Sequence, residues 1–326
     1  VYANRQVGST FKPFLYATAI ALQGFSPCFP VMDIQYTINP GEADFELLKP
    51  WTPQNAMGEY DKESITLYEA LRKSKNTVST YLMKQMGSSQ PLRGLVSNMG
   101  MDSSARLPNG RYVIPKQPSI ALGATDLSPM EMTAAYSTFA NNGTYNKPIF
   151  VKKIEDRNGK VLYEAIPKSQ VALSEEVNYV MVDMLKYVAQ GMGGFNGIKS
   201  EVGGKTGTTN DHTDGWFMGV TPDIVVGTWV GGEDRWMRFR RLTYGQGSMM
   251  ARPVFQHFLR ELEKHPETGY DPSKRFYRPK GDLGIILDCD EYRKFDESNN
   301  SDYFEESYFE DSNDSSEPES GGFFEE

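Results

Sequence analysis

Two cysteines and three histidines are all that this 326-residue chain offers for thiol or soft-metal chemistry. Cys28 and Cys289 fit no zinc spacing, and His212, His257 and His265 are scattered. A metal centre or a histidine-based triad is therefore not expected. The cysteines read as two unrelated thiols, with a single disulfide as the alternative. Long apolar runs are also missing. No stretch of eighteen apolar residues occurs, so no membrane span is expected inside the chain. Basic excess is missing too. The net charge is −9, but residues 290–326 hold 14 Asp or Glu against only Arg293 and Lys294, which leaves residues 1–289 at +3. Neither part suggests nucleic-acid binding.

What is present is enough apolar matter for a substantial core, at 39% hydrophobic and 12% aromatic residues. PFLYATAIALQG after Lys12 reads as an apolar helix stopped by Gly24. Pro13 is tolerable only in the first turn, which puts the helix start near Ser9 or Thr10. Residues 25–60 read as an irregular excursion. Ser64 is the expected cap of a helix through ITLYEAL. A break at RKSKN follows, then a helix TVSTYLMKQM ending before Gly87. SPMEMTAAYSTFANNG carries the best local helix signal, with Ser128 as N-cap, Pro129 at the first position and Glu131 completing a capping box.

Further on, YNKPIFVKKIE and KVLYEA read as two strands around Asn158-Gly159. Residues 174–190 predict a long amphipathic helix. EVGGKTGTT, DGWFMGV and DIVVGTWVGG predict three strands with short turns, hence an antiparallel sheet. PVFQHFLRELEKH reads as a closing helix. From residue 290 the composition predicts disorder. In it YFEE, YFED and FFEE repeat an aromatic-aromatic-acid-acid unit at 303–306, 308–311 and 323–326. Chance in an acidic tail and a docking motif explain the repeat about equally well.

Three short motifs carry chemistry. Ser9 and Lys12 are three apart at a helix start, on one face. A lysine with a lowered pKa can take a serine proton, and the helix N-terminus favours negative charge developing nearby. Ser74 and Asn76 fall in the break between two helices, where a hydroxyl and an amide can project into a cleft. Lys205, Thr206 and Thr208 lie on a strand where Gly207 clears room for a ligand against the backbone. Taken alone, the first is better read as a capping serine with a surface lysine and the second as a polar turn, and the third also fits a lysine-protected edge strand. Together and in this order, S-x-x-K, S-x-N and K-T-G form the signature set of penicillin-binding proteins and serine β-lactamases.

The likeness extends past the motifs. RQVGSTFKPF, WTPQN at 51–55, the EALRKSKNT run, PSIALGATDLSPMEMTAAYSTFANNG and GGKTGTTNDHTDGWFMGVTP make residues 5–260 resemble the transpeptidase domain of class A, bifunctional penicillin-binding proteins. The resemblance implies an α+β fold, an antiparallel sheet flanked by helices. It implies Ser9 as acyl-accepting nucleophile, Lys12 as its base, and Ser74 as proton shuttle. Asn76 is then the holder of the acyl-side amide, and Lys205, Thr206 and Thr208 bind the terminal carboxylate of a D-Ala-D-Ala stem peptide. The backbone N–H groups of Ser9 and Thr208 are the implied oxyanion hole. The implied reaction is D,D-transpeptidation through a serine acyl-enzyme, blocked by β-lactams, with no cofactor and no metal.

In that family a glycosyltransferase domain, a membrane anchor and the first sheet strands precede S-x-x-K, whereas eight residues precede Ser9 here. The chain is accordingly expected to be amino-terminally truncated, with a sheet that lacks those strands and has an open edge. Its implied place is the extracytoplasmic face of the bacterial inner membrane, in the periplasm, with membrane attachment only through that missing anchor. Expected divisions are 1–265 for the transpeptidase domain, 266–289 for an extension and 290–326 for the disordered acidic tail, whose repeats, if they are docking motifs, would bind cell-wall proteins. A D,D-carboxypeptidase, a β-lactamase-like hydrolase and a penicillin-binding sensor that acylates once remain alternatives.

Overall fold

A computed structural model of the chain describes residues 3–209, 212–234 and 236–299. The chain enters as a two-residue strand β1 (Arg5–Gln6), makes a 3-10 turn over Gly8–Phe11 and continues directly as helix α1 (Lys12–Gln23). The regular helix thus begins at Lys12, slightly later than the sequence predicts, and Ser9 sits in the tighter turn before it. Pro13 occupies the first helical turn, and Gly24 ends the helix by donating its N–H to Ile20 O at 2.9 Å. Every residue from Lys12 to Ile20 is buried, so α1 runs through the middle of the core.

Helical layers form around it. Strands β2 (Pro30–Met32) and β3 (Ser64–Thr66) pair antiparallel and lead into α2 (Leu67–Arg72), α3 (Asn76–Met86) and α4 (Gln90–Asn98). Ser64 belongs to β3 and does not cap α2. Thr66 does, its hydroxyl accepting the Glu69 N–H at 3.3 Å. Both are β-hydroxyl residues near the helix start, and only the pairing of Ser64 with Met32 decides between them. Strand β4 (Asp126–Leu127) pairs with β1, and α5 (Pro129–Ala140) follows with its capping box between Ser128 and Glu131 in place. The first strand expected in 145–155 is split. β5 (Thr144–Asn146) pairs with β8 (Ser169–Val171), and β6 (Lys153–Glu155) pairs with β7 (Val161–Glu164) across the expected Asn158-Gly159 turn. Pro148, which has no N–H for a ladder, lies in the gap.

Helix α6 (Glu175–Met192) then packs on strand β9 (Gly203–Thr208). Strands β9, β10 (Asp214–Val220) and β11 (Val225–Gly231) form an antiparallel sheet in the order β11-β10-β9. Among the described strands none pairs with the far edge of β11. The period-2 rule divides β10 between two cores. Trp216, Met218 and Val220 join the large helical core, while Phe217 packs with Ala251, Phe255 and Leu259 on the other face. Short helices α7 (Leu242–Gly245) and α8 (Gly247–Met250) lead to α9 (Arg252–Leu262), which covers that second face. The fold is α+β, as expected. No described helix is long and apolar enough to cross a membrane.

The chain ends differently from its composition. Helix α10 (Cys289–Asn299) occupies the first ten residues of the segment expected to be disordered, and residues 300–326, with the aromatic-acid repeats, lie outside the described residues. Cys28 and Cys289 are not separate thiols. They form a disulfide with Cα atoms 5.2 Å apart, across 261 positions of sequence. Ser26 Oγ also donates to Ile286 O at 2.6 Å, and Leu283 and Leu287 pack inward, so residues 283–289 strap across the chain beyond α1. Sequence distance hid the pair, because only the strap brings the two thiols within bonding reach. A cross-link over so long a loop restricts the unfolded chain strongly. Cys28→Ser with Cys289→Ser is expected to lower the unfolding free energy by about 2–4 kcal/mol in urea titrations. An unchanged midpoint would remove the disulfide from the account of stability.

Candidate active site

The turn bearing Ser9 is held by backbone contacts on three sides. Val7 N–H donates to Thr125 O at 3.1 Å and Gly8 N–H to Gly123 O at 3.2 Å. Trp216 Nε1 of β10 donates to Gln6 O at 2.9 Å, and Tyr136 OH of α5 donates to Thr10 O at 2.5 Å. Strand β9 lies directly against the turn. A Cβ at position 207 would come within 2.7 Å of Val7 O and 2.9 Å of Thr10 Cγ2, so only glycine permits this approach. Gly8 has a φ of +53°, and a Cβ there would meet Thr208 O at 2.9 Å. These two glycines let the S-x-x-K turn and the K-T-G strand touch.

Two buried amines meet at one hydroxyl. Lys12 and Lys205 are both fully buried. Lys12 Nζ donates to Ser74 O at 2.6 Å and to Asn76 Oδ1 at 2.7 Å, and it stands 3.3 Å from Ser74 Oγ. Lys205 Nζ lies 3.0 Å from the same Ser74 Oγ and donates to Thr206 O at 3.0 Å. Burial and then the neighbouring Lys205 charge hold the Lys12 amine well below its ordinary range. Burial brings Lys205 down to about 7. A neutral amine has two hydrogens and one lone pair. With both hydrogens of Lys12 given to Ser74 O and Asn76 Oδ1, its lone pair is left to accept a proton.

Ser74 sits in the break between α2 and α3 with a φ of +56°, a conformation few non-glycine residues adopt. Asn76 is the first residue of α3, and its Nδ2 donates to Gln54 O at 2.7 Å. Ser9 is half-buried, and among the described residues its hydroxyl makes no hydrogen bond. Its backbone lies in the opening turn, where N–H groups have no intrahelical partner. Thr209 N–H donates to Asp214 O, so in this antiparallel ladder the next pair, Thr208 with Gly215, is a non-hydrogen-bonded one. The Thr208 N–H consequently faces away from β10. Thr208 Oγ1 accepts the Gly247 N–H at 3.1 Å. Thr206 shares that face of β9, two residues away.

The structure thus gathers Lys12, Ser74, Asn76 and Lys205 by direct contact, with Ser9 one turn from Lys12 and the two threonines on the adjoining strand. A cavity of about 970 Å³ lies elsewhere, between α5 and the loop at 146–150, and touches none of these residues. Convergent polar chemistry outweighs size in choosing between them. Among the described residues no cluster of His, Cys, Asp or Glu is placed to hold a metal. Sequence reasoning missed the supports. Asp214 is buried and accepts from Thr209 Oγ1, Thr213 Oγ1 and Trp229 Nε1, tying the end of β9 to the sheet. Asp33 and Asn55 likewise stand behind Asn76. WTPQN contains Asn55 but nothing in it signals this partner.

The lowered Lys205 has a consequence for stability. Between about pH 7 and its ordinary value of 10.5, the unfolded chain binds a proton at this residue that the folded chain lacks. Stability therefore rises with pH in that window, by about 1.4 kcal/mol per pH unit from this group. Relative to Lys205→Met, the wild type is expected to gain roughly 2 kcal/mol in urea denaturation between pH 7 and pH 9. Parallel behaviour of the two proteins would mean that Lys205 titrates as in water.

Comparison with known proteins bears on the family and the fold. A family model for the penicillin binding protein transpeptidase domain matches residues 2–236. Penicillin-binding protein 1A of Aquifex aeolicus is 34% identical over 277 residues, covering 83% of this chain and 35% of that protein. Penicillin-binding protein 1A of Neisseria meningitidis serogroup A is 32% identical over 308 residues, covering 88% and 36%. The chain spans about a third of the length of these curated relatives. In fold it is similar to the PonA1 protein of Mycobacterium tuberculosis in complex with penicillin V, with a TM-score of 0.70 at 24% identity, covering 87% of this chain and 75% of that one. By its match over most of its length, this chain belongs to the penicillin-binding protein transpeptidase domain family.

Proposed function

We propose that this chain is a serine-type peptidoglycan D,D-transpeptidase. The observation that carries the reading is the convergence of the Lys12 and Lys205 amines on Ser74 Oγ, with Asn76 at the same place and Ser9 in the turn just before Lys12. Ser9 Oγ attacks the carbonyl carbon of the penultimate D-Ala, and its proton passes to the neutral Lys12 amine. The tetrahedral oxyanion is met by the Ser9 and Thr208 N–H groups, donors of a kind worth about 3 kcal/mol each. Collapse breaks the peptide bond. The Lys12 proton travels through Ser74 Oγ to the departing D-Ala nitrogen, leaving the peptidyl ester on Ser9. An amine from a second stem peptide then attacks the ester, giving its proton back along the same path and freeing Ser9.

The other groups orient the donor peptide. The second Nδ2 hydrogen of Asn76 is available to an acyl-side carbonyl. Lys205, Thr206 and Thr208 bind the terminal carboxylate, and that anion favours the charged form of Lys205. A β-lactam acylates the same serine and stays, because no leaving amine departs to admit an acceptor. Residues 1–265 form the transpeptidase domain in this reading, 266–289 its extension, and 290–326 an acidic segment that docks cell-wall proteins. The parent protein is proposed to be an anchored, bifunctional enzyme with a glycosyltransferase activity as well. The Cys28–Cys289 disulfide supports an oxidising compartment such as the periplasm.

Mass spectrometry after incubation with benzylpenicillin tests the reading. One adduct per chain, mapped to Ser9 and absent from Ser9→Ala, is expected. Lys12→Met should retain the fold and acylate about 10²–10⁴-fold more slowly. An adduct that survives in Ser9→Ala, or none in a folded wild type, would refute Ser9 as the nucleophile.

A further inference from the structure

Helix α3 begins at Asn76 without a cap of its own. Lys75, its N-cap residue, offers no side-chain hydrogen bond there. The cap comes instead from Asn55, in a loop more than twenty residues upstream. Asn55 Oδ1 accepts the N–H groups of Asn76 at 2.8 Å and Thr77 at 3.3 Å, two donors that the helix itself leaves without partners. The other end of the amide is fixed as well. Asn55 Nδ2 donates to Asp33 Oδ1 at 3.0 Å and to Glu59 O at 3.0 Å.

Asp33 is the centre of this arrangement. It is fully buried just beyond β2. Besides Asn55 it accepts from Thr77 Oγ1 at 2.5 Å, Asp61 N–H at 2.9 Å and Lys75 Nζ at 2.5 Å. Burial alone would raise its carboxyl, but these donors hold it down at about 2, so it is an anion at any working pH. Lys75, between Ser74 and Asn76, thus points away from the two amines and is clamped by Asp33 and by Asp61 at 3.0 Å. Ser74 keeps its positive φ between these fixed neighbours, a conformation that persists where the surroundings over-determine it.

We infer that Asn55, held in place by Asp33, is a positioning residue for acyl transfer: it sets the first turn of α3 and through it the Ser74 hydroxyl and Asn76 amide against the Lys12 amine. The inference rests on the acyl-transfer reading above. Both residues are buried and bonded to protein groups. Their effect is on the geometry of the proton path, where a displacement of about 1 Å is enough to cost a hundredfold in rate.

The test measures benzylpenicillin acylation of the full chain over a range of concentrations, separating the first-order acylation constant from the dissociation constant of the initial complex. Asn55→Ala is expected to lower the acylation constant at least about tenfold, with the dissociation constant changed less than about threefold. Asn55→Asp keeps the acceptor for the two N–H groups but sets a second carboxylate beside Asp33, and it too should be slow. Adding Asp33→Asn to it restores one donor and one carboxylate across the pair but not the bond to Glu59 O, and is expected to recover part of the loss, acylating at least about threefold faster than Asn55→Asp alone. Should Asn55→Ala fail to fold, Thr77→Val, which removes a single bond to Asp33, carries the same comparison with a smaller loss. Wild-type acylation in these variants, a loss confined to the dissociation constant, or an exchange variant no faster than Asn55→Asp overturns the assignment. A folded wild type that is never acylated overturns the functional reading itself, and this assignment with it.

Discussion

Lys12 and Lys205 are buried around one serine hydroxyl, and among the described residues no carboxylate is bonded to either. Burying an ammonium without a counterion is unfavourable, and the amine responds by giving up its proton more readily. A neutral amine at ordinary pH is a base, which is the property the proposed acyl transfer would use. The burial is also a constraint on the remainder of the fold. Each buried amine is better accommodated neutral, so the surrounding structure must hold it in place against the gain of releasing it to water. Apolar burial around α1 and the long-range disulfide are the visible means.

The same constraint explains why the supports are so rigid. Ser9, Ser74 and Lys205 come from three separate parts of the chain, and an error in the placing of any one of them would pull the site apart. The turn at Ser9 is fixed by bonds to the backbone of Gly123 and Thr125, to Trp216 and to Tyr136. The end of β9 is fixed by the buried Asp214. The break at Ser74 is fixed by Asn55 and Asp33. At the Ser9 turn and the Ser74 break, buried side chains satisfy backbone groups that regular structure leaves open, and at β9 the Asp214 carboxylate gathers side-chain donors, arrangements that specify one geometry among several of similar packing.

Much of the fold was legible because its signals are local. The capping box at Ser128 and Glu131, the glycine stop at Gly24 and the three strand runs after residue 200 all depend on residues within a few positions of one another. The misreadings are of the opposite kind. Thr66, not Ser64, caps α2 because β2 claims Ser64 as a strand partner from more than thirty residues away. The strand expected through Pro148 is split because β5 finds its partner in β8. Helix α10 forms in an acidic stretch whose start the disulfide fastens to the core.

The sequence by itself determined the chemical inventory: two lysines, two serines, an asparagine and a K-T-G strand, in an order whose spacing identifies the family. Side-chain type and near-neighbour spacing are written in the chain, and so is the need for glycine at 207. Only the tertiary structure decided which hydroxyl the two amines share, that Lys75 faces Asp33 and not the site, and that Cys28 meets Cys289. Those outcomes depend on how buried charge is solvated and on which distant backbone groups are capped. Both are properties of the assembled interior, where water has been excluded and every polar atom must find a partner in the protein.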